Sequence, residues 1–391
     1  MKDVIFNTHD LALLITIYQC LLFAIFLFVL KKGRRQSNIL LALFLLTNAA
    51  IPLDNLINFG EMFRQIIIGY SPHLFYTFGL AYWLEPVVLL FYVRTLIYKD
   101  YQFKKQHILY LLPLLAYFIH ESQNWYFLDT ETKIAHLTTY SIADAPDYIF
   151  GINFFRECFR TFCGILCLIE LKRYHQHIKN EFSDIESIDL TWLKVLIIGF
   201  LTIYIFAIII TIGFTINFTL GIEIDYELIG LTSNWCAMFL ISFLIYFSLG
   251  FTSLFKGIDP EINKQSEKNP VDLEQIDSIV AYMESSKPYL NHLLTLENLA
   301  KQLNMPARVL SQNINRHFKQ NFFEFINSYR IEESKRLLLL PEHKKSTMLD
   351  IMDLAGFNSK ATFNTFFKKL VGATPTQFRK EHLKNIELGS T

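Results

Sequence analysis

Little in this chain of 391 residues offers a reaction centre. Its five cysteines, Cys20, Cys158, Cys163, Cys167 and Cys236, all sit inside long apolar runs, which assigns them to helix packing and excludes an exported disulfide framework. The eleven histidines show no metal-ligand spacing with cysteines or acids, so no metal site is expected. There is no glycine-rich phosphate loop with a following lysine, no nucleophile elbow, and no kinase or receiver signature. No catalytic residue and no cofactor are therefore expected, and an enzyme is the poorer reading. A dominant charge sign is missing as well, because 36 basic residues balance 36 acidic ones.

What the chain has in excess is apolar surface. Apolar residues make up 52% of it and 37 are Phe, too many for one ordinary soluble domain of this length. The excess lies in the first 255 residues. Leu11 to Leu30 is a nearly unbroken run of twenty, enough to cross a hydrocarbon core of about 30 Å. Asp3, His9 and Asp10 precede it and Lys31, Lys32, Arg34 and Arg35 follow it, the reverse of a signal peptide. Six more spans are expected: Ile39 to Ile57, Leu74 to Ile97, Ile108 to Ile119, Tyr148 to Ile169, Leu193 to Ile216 and Leu228 to Phe251. The fourth, interrupted by Pro113, is the weakest.

Lysine and arginine accumulate in cytoplasmic loops. One set of loops carries Lys31, Lys32, Arg34, Arg35, Lys99, Lys104, Lys105, Lys172, Arg173, Lys179 and Lys256; the other carries only Lys2, Arg64 and Lys133. The expectation is a multi-pass membrane protein with its N-terminus outside and its tail in the cytoplasm. Ionisable groups inside spans default to functional candidates. Glu85, Arg156 and Arg160 form a candidate sensing pocket, with Asp54 and Glu157 nearby; buried ion pairs that fix helix register, or side chains snorkelling to the interface, are the plainer account.

The tail has a different grammar. Leu296, Leu299, Ala300 and Leu303 line one helix face, Asn304-Met305 break it, and Pro306 opens a second helix carrying Leu310, Ile314 and Phe318. Thr347 is a cap for a helix with Met348, Ile351, Met352 and Ala355; Gly356 supplies a turn, and Phe363 and Phe367 stripe the next helix. Phe322 to Leu340 reads as one long connecting helix ended by Pro341. Thr374-Pro375 begins a last helix, and Val271 to Ser285 has helical spacing ahead of the first unit.

Two helix-turn-helix units on a rigid connector suit successive major grooves. Gly356-Phe357, Phe363, Phe367-Lys368-Lys369, Gly372, Thr374-Pro375 and Arg379 match the second-unit signature of the AraC family of bacterial transcription regulators, whose DNA-binding domain residues 272 to 386 resemble. Met352 and Pro306 depart from the pattern, standing where that family usually has a small Ala and a Ser cap. The resemblance implies sequence-specific binding of double-stranded DNA. Once the apolar stripes are removed, the base-reading candidates are Arg308, Ser311, Gln312 and Asn315 in the first recognition helix, and Lys360, Ala361, Asn364 and Thr365 in the second. Lys319, Lys344, Lys345, Lys368, Lys369 and Arg379 are candidate phosphate contacts. From residue 271 onward 16 basic residues face 13 acidic ones, so these are also compatible with ordinary solvated helix faces.

The expected fold class is all-α: a seven-span transmembrane bundle over residues 1–255, a cytoplasmic linker over 256–270, and a tandem helix-turn-helix domain over 271–391. The expected function is a membrane-anchored transcription regulator whose partners are DNA, the lipid bilayer, a small-molecule or membrane signal, and a second copy forming a homodimer. Two rivals stay open at this point: a receptor whose tail binds a protein, and a transporter regulated by its tail.

Overall fold

The computed structural model describes residues 8–29, 35–98, 101–139, 147–185, 188–220, 226–251 and 273–388. Among these the fold is all-helical; no strand forms, and one isolated bridge joins Phe182 and Thr295. The chain divides into two compact units: Met1–Lys172 with Leu190–Asn263, and Arg173–Asp189 with Lys264–Thr391. The expected linker, Lys256 to Pro270, lies outside the described residues.

The first unit contains α1 (Thr8–Val29), α2 (Arg35–Phe59), α3 (Glu61–Tyr70), α4 (Ala81–Ile97), α5 (Leu112–Glu121), α6 (Thr130–Thr139), most of α7 (Asp147–Glu181), α8 (Thr191–Leu220) and α9 (Tyr226–Phe251). Helix α1 packs on α2 and α9, α2 on α4, and α8 on α9. Glycines set two close crossings. A Cβ on Gly164 would come within 2.6 Å of Leu201, and one on Gly199 within 2.5 Å of Leu240, so α7 meets α8 and α8 meets α9 where a side chain is missing. The buried faces are apolar, yet Ile25, Phe28, Val195, Ile209 and Phe239 stay exposed on α1, α8 and α9.

Four helical stretches among the described residues, Thr8–Val29, Arg35–Phe59, Pro72–Ile97 and Thr191–Gly213, are long and apolar enough to cross a membrane, and Leu231–Phe247 is a shorter apolar helix. The run from Ile108 to Ile119 is divided. Its first part is a 3-10 helix, Lys105–Leu111, and α5 starts beside Pro113, whose missing N–H costs nothing in a first helical turn. Helix α5 alone is about 15 Å long, roughly half a hydrocarbon core. Two helices arise where loops were read: α3, and α6 inside the long segment after His120.

The second unit contains the end of α7, α10 (Leu273–Ser286), α11 (Leu296–Gln302), α12 (Ala307–Asn313), α13 (Phe322–Leu339), α14 (Met348–Leu354), α15 (Lys360–Val371) and α16 (Pro375–Leu388). One core joins Ile276, Ile279 and Met283 of α10 to Leu299, Leu310 and Ile314 of the first helix pair and to Phe322, Phe325 and Ile326 of α13. The other side of α13 carries the second pair: Phe323 meets Phe366 edge-on at 5.3 Å, and the Phe357, Phe363, Phe367 and Phe378 rings follow one another at 5.2 to 5.7 Å.

Candidate nucleic-acid interface

Local chemistry starts each helix of the two pairs. Thr295 caps α11, its Oγ1 accepting the Asn298 N–H at 3.2 Å. Left-handed Asn304 makes the turn, and Pro306, with ψ at 136°, is the residue before α12, so this helix begins one residue later than the sequence reading had it. In the second pair Thr347 and Asp350 cap each other's backbone at 3.1 and 2.7 Å, an exchange worth about 1 kcal/mol for such a cap. Gly356 turns the chain at φ +83°. A Cβ there would lie 2.6 Å from the Tyr289 carbonyl oxygen, so the position demands glycine on two counts. Ser359 then caps α15 through the Thr362 N–H.

The faces left over are those the apolar stripes predict. With Leu310 and Ile314 buried, Arg308 and Asn315 are exposed, and Ser311 and Gln312 are half-buried. Asn315 donates to the Ser311 hydroxyl at 3.3 Å, so those two share one polar contact. A wide π turn, Ile314–Phe318, ends this helix at left-handed Lys319. On α15, Phe363, Phe366 and Phe367 are buried while Lys360, Ala361, Asn364, Thr365 and Lys368 are exposed.

The phosphate candidates divide. Lys319, Lys344 and Lys345 are exposed. Lys369 pairs with Glu324 at 3.2 Å and lies over the Phe366 ring. Arg379 is half-buried and donates to the Ser346 carbonyl at 2.7 Å, which ties α16 to the loop before α14. Burial holds its guanidinium pKa below the ordinary value.

In the first unit Glu85, Arg156 and Arg160 come together, with Glu157 joining them. Arg160 reaches Glu85 at 3.3 Å and Glu157 at 2.9 Å, and Arg156 reaches Glu157 at 2.9 Å. The Tyr204 hydroxyl donates to Glu85, and the Tyr82 ring lies 4.3 Å from the Arg156 guanidinium. The sequence reading did not single out these two tyrosines, because a tyrosine within an apolar run carries no signal of its partner. Two acids and two bases thus neutralise one another. Arg94 pairs with Glu170 at 3.1 Å in the same unit. A cavity of about 640 Å³ in the same unit is lined by apolar residues such as Leu43, Ala50, Phe78, Leu84, Leu115 and Phe118, none of them from the charged group.

Sequence reasoning also missed Arg330 of α13. It is about 1% exposed, and its guanidinium serves five acceptors: the Tyr289 carbonyl at 2.8 Å, the Asn291 carbonyl at 3.0 Å, the Ser183 carbonyl and hydroxyl at 3.1 Å each, and Asn327 Oδ1 at 3.3 Å. Its place in a charged helix stripe gave no cue to this burial.

The paired helices, their caps and their turns define a helix-turn-helix DNA-binding domain. Residues 299–381 match the family model described as a helix-turn-helix domain, which supports the AraC-type resemblance in that part of the chain. Over 112 residues the chain is 28% identical to the Msm operon regulatory protein of Streptococcus mutans serotype c, covering 26% of this chain and 39% of that protein. The chain therefore spans well under two thirds of that relative's length. No solved structure matches it.

Proposed function

We propose that this protein is a one-component membrane regulator, in which the apolar helices lie in the inner membrane and sense a signal while the C-terminal unit binds promoter DNA in the cytoplasm. What carries the reading is the coexistence in one chain of a helix-turn-helix pair with exposed Arg308 and Asn364 and of helices long and apolar enough to span a bilayer. Arg308 has the fork geometry to take guanine O6 and N7, and Gln312 and Asn315 suit adenine N6 and N7. On α15, Lys360, Ala361, Asn364 and Thr365 read the next groove. Lys319, Lys344, Lys345, Lys368 and Lys369 hold phosphates, and Arg379 supports α16 from inside. The two recognition helices address major grooves about 34 Å apart along one face of the duplex.

The neutralised group of Glu85, Arg156, Glu157 and Arg160 is the sensing element of this reading. A signal that favours one packing of the bundle shifts the population of tails able to engage paired half-sites in a homodimer. Reporter output from a regulated promoter, measured with Glu85→Gln and Arg160→Gln, tests it. Altered induction at unchanged protein level supports the reading; unaltered induction removes the sensing role from this group.

A further inference from the structure

Residues 182–185 follow the last turn of α7, and the chain re-enters a long apolar helix at Thr191. They fold into the second unit, against the residues that connect its two helix pairs. The Ser183 N–H donates to the Leu294 carbonyl at 3.2 Å and its hydroxyl donates to the same oxygen at 2.6 Å, one residue ahead of the α11 cap; Phe182 bridges to Thr295 itself. On α13 the Ser183 carbonyl accepts from Arg330 and from Asn327, and its hydroxyl oxygen accepts from Arg330. Asp184 accepts from the Asn358 side chain at 3.2 Å, one residue ahead of the α15 cap. Three residues, Phe182, Ser183 and Asp184, thus touch the start of the first pair, the connector, and the start of the second recognition helix.

The chemistry makes the docked segment more than a passive neighbour. A guanidinium has five N–H donors, and Arg330 places them on five acceptors, two of which belong to Ser183. Burial pushes the Arg330 pKa down to about 10, and the opposing charge is Asp184. Withdrawing the segment leaves two buried donors without acceptors and a buried cation without its counter-charge. The connector that spaces the two pairs is therefore completed by atoms from a distant stretch of the chain. That stretch is tethered on one side to α7, which continues without a break into the first unit, and on the other, six residues later, to α8.

We infer that residues 182–185 are an intramolecular clip whose seat at the junction of Leu294, Arg330 and Asn358 fixes the relative setting of the two recognition helices and transmits the state of the apolar helices to them. The inference rests on the DNA-binding reading above. A seated clip holds one spacing between the two DNA segments read by α12 and α15, and a displaced clip relaxes that spacing.

The test uses the full chain in lipid nanodiscs and a duplex recovered by selection from genomic fragments with the same preparation. Affinity is measured for this duplex and for one with a single base pair inserted between the two contacted segments. The variants are Asp184→Ala, which removes the contact with Asn358 and the charge opposite Arg330, and Ser183→Ala with Asp184→Ala. Wild type is expected to discriminate against the insertion, and the double variant to lose about fivefold or more of that discrimination, the lower end of ordinary coupling energies. A loss of affinity that is equal for both duplexes is the mark of simple destabilisation and overturns the clip. Unchanged discrimination at unchanged affinity also overturns it. If the wild-type chain recovers no duplex, the DNA-binding reading fails and the clip falls with it.

Discussion

Arg330 and Ser183 lie 147 positions apart and are joined twice, Nη1 to the Ser183 carbonyl and Nη2 to its hydroxyl, each at 3.1 Å. The pair converts a buried cation into a fully satisfied one. Because the geometry is a planar fork with five donors, charge alone does not substitute for it. Arg330→Lys keeps a cation but supplies only three donors, so it is expected to destabilise the second unit by about 2 to 4 kcal/mol through acceptors left unpaired in a buried site. Amide hydrogen exchange over α13 of the full chain measures this. Wild-type protection in the lysine variant would show that the fork is not required.

Gly356→Ala meets both a left-handed backbone and the Tyr289 carbonyl, 2.6 Å from the added Cβ. The left-handed setting alone costs roughly 1 to 2 kcal/mol, and the clash is with backbone, which cannot rotate away. Loss of at least that much stability is expected, followed by thermal unfolding of the helix-turn-helix signal. Gly372→Ala is the comparison: its φ is +80° but no atom lies within 4 Å of an added Cβ, so only the backbone term applies.

Glu333 of α13 accepts from Arg336 at 2.7 and 3.0 Å and from left-handed Lys287 at 3.1 Å. The Arg336 hydrogen bonds are the main reason that its carboxyl sits below the usual carboxylate range, with Lys287 adding to them and burial opposing. A depressed carboxyl pKa means that the stabilisation is complete above the unfolded value of about 4.3 and is lost as the pH falls through the folded value. Stability of the second unit is expected to decline with acid below that value in wild type, and less steeply in Glu333→Gln. Equal pH slopes for the two chains would remove the assignment.

Base readers and phosphate contacts separate in a salt series. Arg308→Ala is expected to cost about 1 to 3 kcal/mol at the selected site and to relax specificity at the base it reads. Lys344→Ala is expected to weaken all duplexes alike and to lower the salt slope by about one. Shift assays at several salt concentrations distinguish the two. Arg379→Ala, by contrast, is expected to lower stability more than it changes that slope, since its guanidinium holds Ser346.

Much of the second unit is legible in the sequence because it is built from local rules. The Thr347 cap, the Gly356 turn and the Phe363 and Phe367 stripe all follow from spacing within a few residues, and each forms as read. What the sequence does not announce is pairing at long range. Nothing periodic links Ser183 to Leu294, Arg94 to Glu170, or Glu85 to both Arg160 and Tyr204. Arg379 is one of the basic residues expected to add phosphate affinity, and its half-buried position with the guanidinium on the Ser346 carbonyl is a long-range feature of the same kind. The four-residue cluster around Glu85 is legible as a set of costly charges, but its internal neutrality depends on where α4 and α7 place their side chains.

The central claim is that one chain both occupies the membrane and binds specific DNA. Formaldehyde cross-linking in cells, recovery of the chain from the membrane fraction, and sequencing of the attached DNA test it most directly. The account predicts enrichment of fragments sharing a motif, lost with Arg308→Ala while the amount of chain in the membrane fraction is unchanged. Recovery of the chain in the soluble fraction, or membrane-bound chain carrying no DNA enriched over that variant, would contradict it.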